Sequence, residues 1–258
     1  AHLFVTPEQI KSEFKNVVDL IFDVYKDFNI TDYRCVLSLR DPLDKEKYYD
    51  DDEMWNKAEN ELREVLNDLG IDYTEEIGEA AFYGPKLDVN VKPAVGNEYT
   101  LSTCQLDFCL PMRFDLKYVD KDGNKKTPVV LHRAILGSLD RFMAYILEET
   151  KGALPTWLSP VQVNVIPVNL EYHTEYSNKV YNLLIENGIR AEVDLREEKL
   201  SYKMRESQTR KIPFTLILGD NELNSDTVSY RCFGSKDTDT LATTDFINMI
   251  KERIALKK

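Results

Sequence analysis

The stretch from Gly152 to Pro160 constrains the fold of this chain more than any other. It carries two prolines and a glycine, few charges, and separates two halves whose patterning differs. Proline supplies no backbone donor to a helix or ladder, and glycine readily leaves regular geometry, so elements stop here. A chain of 258 residues can hold one large domain or two ordinary ones. The break argues for two, residues 1–154 and 155–258.

In the first half, Thr6-Pro7-Glu8-Gln9 has the form of a helix start: a cap, a proline for the first turn, and a glutamine to close a capping box. Ile10, Phe14, Val17, Ile21, Val24 and Phe28 then predict one apolar helical stripe. Tyr33–Leu39 reads as a strand. Residues 53–69 read as a second amphipathic helix with Trp55, Ala58, Leu62, Val65 and Leu69 inward and Gly70 as its stop. Lys86–Val91 and part of 99–110 alternate as strands. Residues 113–119 followed by Asp120–Asn124 imply a hairpin. His132, Arg133 and Arg141 stand at the mouth of what reads as a long apolar helix. Leu136, Leu139, Phe142, Met143, Ile146 and Leu147 would form its core face, and Gly137 and Ser138 would admit close approach to the backbone.

The second half alternates strands (161–168, 189–195, 213–218, 228–233) with helices (171–185, 200–210, and 243 or 244 to 254). That rhythm predicts a mixed, mostly parallel α/β sheet. Lys199, Lys203, Arg205, Arg210 and Lys211 gather around one of its helices, as a solvated face or an RNA-facing stripe. His173 reads as a surface residue.

Net charge is −12, which argues against a surface that clings everywhere to nucleic acid. A local basic stripe can still serve one RNA while the acidic remainder suppresses other binding. Cys35, Cys104, Cys109 and Cys232 contain no CxxC pair and read as reduced, mostly buried thiols of a cytoplasmic protein. No apolar run is long enough to span a membrane, and no signal peptide is visible.

Four strings then bear on function: Gly78–Lys86 (GEAAFYGPK), Ser102–Phe108 (STCQLDF), His132–Phe142 (HRAILGSLDRF) and Pro155–Gln162 (PTWLSPVQ). In this order they resemble segments of the threonyl-tRNA synthetases, a family of class II aminoacyl-tRNA synthetases. The third string is similar to the family's motif 3, and Ala1–Phe4 resembles the end of its motif 2 region. The resemblance covers essentially the whole chain.

The resemblance implies a partial antiparallel catalytic sheet with helices in 1–154 and an anticodon-binding domain in 155–258. It implies threonine, ATP and a threonine-accepting tRNA as partners, with Mg²⁺ and Zn²⁺ as cofactors and a homodimer in the full-length enzyme. Arg141 matches the arginine that contacts ATP, and Lys86 a catalytic position. Tyr83, Gln105 and Ser138 match positions near threonine or its adenylate. His2 and His132 match two of three zinc ligands; the third, a cysteine, is matched by nothing here. Arg205, Glu222 and Arg231 match anticodon contacts, with Lys199 beside them. Asp140 and Glu197 depart from the family pattern, where glutamate and asparagine are usual.

Motif 1 and the motif 2 arginine would precede His2. The resemblance therefore implies a fragment of a threonine–tRNA ligase, inactive alone. The alternative is a noncatalytic tRNA-binding or regulatory module derived from such an enzyme.

Overall fold

The computed structural model describes residues 1–94 and 96–258. It forms two compact units, Ala1–Tyr145 and Ile146–Lys258.

The first unit is built on a six-stranded sheet. Its strands are β1 (His2–Val5), β2 (Tyr33–Leu39), β3 (Tyr73–Ile77), β4 (Lys86–Val91), β5 (Tyr99–Asp107) and β8 (Val129–Ala134). A separate hairpin joins β6 (Tyr118–Val119) to β7 (Lys125–Lys126). The order across the sheet is β1-β8-β5-β4-β2-β3, antiparallel except for β2 and β3. Among the described residues four α-helices accompany it, α1 (Ile10–Asp27), α2 (Asp52–Asp68), α3 (Cys109–Arg113) and α4 (Leu139–Glu149), with a 3-10 turn at Pro7–Gln9 leading into α1.

Helix α1 forms where the capping box at Thr6 and Gln9 predicts it. Ile10, Phe14, Val17 and Ile21 are buried, and Val18 and Tyr25 widen the stripe. The helix packs against α2, β5 and β8. Tyr25 hydroxyl meets Ser102 Oγ at 2.8 Å, so Ser102, Cys104 and Leu106 face α1. Thr103, Gln105 and Asp107 therefore point to the other face. Helix α2 buries Trp55, Ala58, Leu62, Val65 and Leu66, and Gly70 ends it with φ +64°. Full burial of side chains such as Phe14 and Trp55 contributes roughly 1.5–3 kcal/mol each.

Three expectations change in this unit. His132 and Arg133 lie on strand β8, not at a helix mouth; Gly137, at φ +63°, turns the chain before α4 begins at Leu139. The core face of α4 carries Phe142, Tyr145 and Ile146, whereas Leu139, Met143 and Leu147 are exposed. These last three, spaced by four, form a neighbouring stripe rather than the buried one. Arg113 closes the short helix α3, and only Tyr118–Val119 of that segment is strand. The expected hairpin is nevertheless present, with Asp120 Oδ1 accepting from the Asp122 and Asn124 amides at 2.9 and 2.8 Å.

The second unit has a five-stranded sheet of order β10-β9-β11-β12-β13. The strands are β9 (Val163–Pro167), β10 (Ala191–Val193), β11 (Phe214–Leu218), β12 (Thr227–Cys232) and β13 (Asp239–Ala242). The first three neighbours run parallel and the last two antiparallel, giving the mixed sheet expected. The helices are α5 (Leu170–Glu186), α6 (Leu200–Thr209), α7 (Asp220–Ser225) and α8 (Thr243–Ala255). Val163, Val165, Phe214 and Leu216 meet Tyr176, Val180 and Leu184 of α5 and Phe246 and Ile250 of α8 in one core. Because β9, β10 and β11 are parallel, their carboxyl ends share one edge, where ligands of open α/β sheets bind.

Candidate functional site

Strand register assembles the first site. Ser38 pairs with Lys86, Lys86 with Gln105, Gln105 with His132, and His132 with His2. Directly opposed residues share a face, so five polar side chains form one row across β2, β4, β5, β8 and β1. At about 4.8 Å per strand the row spans roughly 19 Å. Four of its members are residues singled out in the sequence, and they come from segments up to 130 positions apart. The row lies on the sheet face away from α1.

Each member is held by neighbours. Lys86 forms an ion pair with Asp88, and its Nζ lies 3.4 Å from Ser38 Oγ. Ser38 Oγ donates to Asp88 Oδ2 at 3.2 Å. Tyr83 hydroxyl donates to Gln105 Oε1, and its ring centroid is 5.5 Å from that of His132. Burial, and then the Asp107 carboxylate, push the Tyr83 phenol above its ordinary range, so it stays a neutral donor. Gly84 makes this approach feasible: a Cβ there would sit 2.1 Å from the Leu106 carbonyl oxygen.

His2 and His132 converge at the end of the row. Their Nδ1 atoms are 2.8 Å apart and their rings are nearly perpendicular, at 85°. His132 Nε2 lies 2.8 Å from Oδ2 of Asp107, a fully buried carboxylate. Asp107 Oδ1 accepts from the Cys109 and Leu110 amides at 3.0 and 2.9 Å. Two ligands on one tetrahedral zinc would stand about 3.3 Å apart, so a shift of roughly 0.5 Å would accommodate the ion. The pair fits two of the four positions such an ion needs. Among the described residues no group of three or more His, Cys, Asp or Glu could hold a metal. The cysteines do not supply the third ligand. Burial pushes the Cys104 thiol up to about 12 and the Cys35 thiol up to about 11, which keeps both protonated.

Ser138 and Arg141 lie toward the other end of β5. Gly137 approaches the Leu101 carbonyl, and a Cβ at Gly137 would be 3.3 Å from it. Ser138 is exposed, and its carbonyl accepts from the Phe142 amide at 3.0 Å, opening α4. Arg141 pairs with neither Asp140 nor Glu148. Its guanidinium lies 5.1 Å above the Tyr99 ring, leaving its donors available to a phosphate.

In the second unit the expected basic stripe divides. Lys199 and Arg205 are exposed and no carboxylate pairs with them among the described residues. Lys203 is 2% exposed and turns inward with Met204 and Ser207, its Nζ donating to the Asp194 carbonyl at 3.0 Å. Arg210 pairs with Glu192, and Lys211 donates to the Lys151 carbonyl. Lys203, Arg210 and Lys211 therefore leave the stripe, because helical spacing turns the first toward the core and local partners occupy the others. Arg196 bridges Asp194 and Glu206 at 2.6 Å each. That contact, against the opposing effect of burial, holds the Asp194 carboxyl below its usual range.

Glu222 and Arg231 lie on α7 and β12. Burial alone would raise the Glu222 carboxyl; the Ser229 hydroxyl and the Gly219 amide outweigh it and hold it low. Arg231 donates to Thr238 Oγ1 at 3.1 Å, while its buried Nε has no hydrogen-bond partner among the described residues. His173 is 3% exposed rather than on the surface. Its Nδ1 accepts from the Asn169 amide at 3.1 Å and its Nε2 faces Asp220 at 3.0 Å, tying the start of α5 to α7.

Asp107, Asp88 and Ser38 were not singled out in the sequence. Asp107 and Asp88 stand two residues from Gln105 and Lys86, on the same strand faces, so strand periodicity carries a signal for both. Ser38, inside an apolar strand, offers none.

Residues 1–150 match the tRNA synthetase class II core domain (G, H, P, S and T). Residues 162–253 match the anticodon binding domain. The threonine–tRNA ligases of Oceanobacillus iheyensis and Staphylococcus carnosus are each 54% identical over all 258 residues, and the chain spans 40% of their length. The RNA binding domain of threonyl-tRNA synthetase from Cryptosporidium parvum superposes with a TM-score of 0.88 at 36% identity, over 98% of this chain and 62% of that one. A putative threonyl-tRNA synthetase from Aeropyrum pernix gives 0.80 at 26%, over 99% and 63%.

Proposed function

The chain belongs to the class II aminoacyl-tRNA synthetases, as the core and anticodon-binding domains of a threonyl-tRNA synthetase, and from that premise we propose that it serves the ATP-dependent ligation of threonine to its tRNA. The observation that carries this reading is the row Ser38–Lys86–Gln105–His132–His2, bordered by Tyr83 and Asp88. It offers a small polar substrate an amide, a phenol and two imidazoles on a rigid sheet, where a precise site is best built.

Gln105 and Tyr83 orient the amino acid through their shared hydrogen bond. Lys86, steadied by Asp88, places an ammonium beside the carboxylate that is activated. Arg141 clamps the ATP phosphates, for which a guanidinium with free donors is suited. Ser138, in the turn before α4, borders threonine or its adenylate. His2 and His132 would hold two positions of a zinc ion, whose Lewis acidity favours a substrate with a side-chain hydroxyl over its methyl isostere. Magnesium accompanies the ATP phosphates rather than an all-protein cage. In the second unit, Lys199 and Glu222, which follow the carboxyl ends of β10 and β11, contact the anticodon loop together with Arg205 and Arg231.

The test is binding of a non-hydrolysable sulfamoyl analogue of threonyl-adenylate, measured by calorimetry beside its valyl counterpart. Preference for the threonyl compound, weakened at least tenfold by Gln105→Ala, is expected. No binding, with tRNA binding retained, would replace this reading with a noncatalytic tRNA-binding module.

A further inference from the structure

His173 takes no part in either proposed site, yet it is buried and both of its ring nitrogens are engaged. It stands in the first turn of α5, and its Nδ1 accepts from the Asn169 backbone amide at 3.1 Å. A backbone N–H can only donate, so Nδ1 carries the bare lone pair and the hydrogen of the neutral ring sits on Nε2. Nε2 then donates to Oδ1 of Asp220 at 3.0 Å. Asp220 is the first residue of α7, and Glu222, the proposed anticodon contact, stands two residues further on.

Helix α7 needs such a hold. With six residues it is too short to persist on its own hydrogen bonds. Its end is tied to α5 twice: Lys179 pairs with Asp226 at 2.9 Å, and the Tyr176 hydroxyl donates to the Thr227 carbonyl at 2.8 Å. Its start is tied to α5 by the His173 ring. Glu222 is set from that start, since its Oε2 accepts from the Gly219 amide at 2.8 Å and its Oε1 from Ser229 Oγ at 2.6 Å. The first turn of α7 therefore decides where the Glu222 carboxylate points. The Lys179–Asp226 pair is exposed on both sides and holds loosely, whereas the imidazole is rigid and buried.

We infer that His173 is a positioning residue for anticodon discrimination: through Asp220 it fixes the first turn of α7 and so aims Glu222. It touches no RNA itself. The inference rests on the reading of Glu222 as an anticodon contact. A carboxylate held in one orientation offers a base one set of acceptor directions, and a side chain left loose by about 1 Å loses that precision. Phosphate contacts made elsewhere are untouched, so the effect falls on the choice of anticodon rather than on affinity for RNA in general.

The experiment is a double-mutant cycle in the 258-residue chain. Fluorescence anisotropy gives the affinity for a threonine-accepting transcript and for the same transcript with a changed anticodon; the ratio of the two cancels effects of overall charge. Glu222→Gln, which keeps an acceptor for the Gly219 amide, should lower the ratio about tenfold. His173→Phe keeps a ring but neither bond, and should lower it about three- to tenfold. His173→Gln, whose amide can accept from Asn169 and donate to Asp220, should stay within about twofold of the parent. Asp220→Ala cuts the same bond from its exposed end without touching the core, and should match His173→Phe even where that variant folds poorly. In the Glu222→Gln background, His173→Phe should cost less than about twofold, because a residue that acts through another adds nothing once the other is gone. Additive losses, or an Asp220→Ala chain with the parent's ratio, would overturn the inference and leave His173 as a packing residue of α5. Glu222→Gln at the parent's ratio would overturn the anticodon reading of Glu222, and the inference with it.

Discussion

Gly84→Ala tests how closely the site depends on one backbone approach. A Cβ at Gly84 would lie 2.1 Å from the Leu106 carbonyl oxygen and 2.8 Å from its carbon. Both are backbone atoms inside β5, so no side chain can swing away. Restoring ordinary contact needs a separation of roughly 1 Å between the Tyr83–Pro85 segment and β5. That segment is bonded to the same strand through Leu106 N to Pro85 O at 3.0 Å and Phe108 N to Tyr83 O at 3.3 Å. Overpacking of this kind costs about 1–3 kcal/mol, and weakening the two bonds adds about 1 kcal/mol. For a unit of this size each kcal/mol lowers the midpoint by about 3 °C, so a fall of roughly 6–12 °C is expected.

The same displacement pulls Tyr83 from Gln105, and misplacement by about 1 Å can cost on the order of 100-fold in function. Peptide-resolved hydrogen exchange is the assay, read beside thermal unfolding. Peptides covering β4 and β5 should exchange faster, while those covering β9 and β11 should not change. A Gly84→Ala chain with the parent's midpoint and exchange would refute the packing argument, and with it the claim that Tyr83 is held where Gln105 needs it.

Three further outcomes follow from the two sites. With two imidazoles as its metal donors, the 258-residue chain should bind zinc weakly and below one equivalent after dialysis; tight, stoichiometric zinc by elemental analysis would mean that a further ligand exists. Arg205→Ala should weaken binding of a threonine-accepting tRNA and reduce the salt slope by about one, whereas Lys15→Ala, which removes an exposed charge paired with Asp19, should change neither; fluorescence anisotropy at several salt concentrations decides. Asp194 and Glu222 have lowered carboxyls, so their stabilisation is complete above their unfolded values near 4 and is lost as pH falls through their folded values; Asp194→Asn should flatten the acid limb of a urea-midpoint profile, and an unchanged limb would remove Asp194 as its cause.

The long elements were legible because their periodicity is strong. The stripe from Ile10 to Ile21, the strand Tyr33–Leu39 and the strand Lys86–Val91 fall where the pattern places them. The stretch around His132 misled because apolar spacing from Leu136 to Leu147 is compatible with a helix that starts earlier. Gly137 at positive φ breaks it, and a glycine in sequence does not announce its φ. Short elements such as α7 and β13 carry too few residues for a period to emerge. The resemblance supplied site residues one by one, but not their alignment. That Ser38, Lys86, Gln105, His132 and His2 share one row depends on strand order and register, which are non-local. Lys203 shows the converse error: composition grouped it with exposed cations, and helix geometry buried it.

The same pairing bears on how a chain of net charge −12 could keep the RNA contacts proposed above local. In the second unit Lys179 is matched by Asp226, Arg196 by Asp194 and Glu206, and Arg210 by Glu192. Exposed pairs of this sort add little stability, about 0–1 kcal/mol. Their larger effect is to cancel local fields that would attract any polyanion. Lys199 and Arg205, at the start and middle of α6, have no carboxylate partner among the described residues. They lie on the helix that follows the carboxyl end of β10, so they place uncompensated positive charge there on a chain that is acidic overall. Long-range steering acts there, while the net negative charge of the chain disfavours misplaced RNA. Neutralising the acidic side chains that pair the other cations should therefore raise affinity for unrelated RNA more than for the cognate tRNA. Glu192→Gln, which frees Arg210, is the direct comparison. Equal affinity gains for both RNAs would mean that the pairing is incidental to recognition.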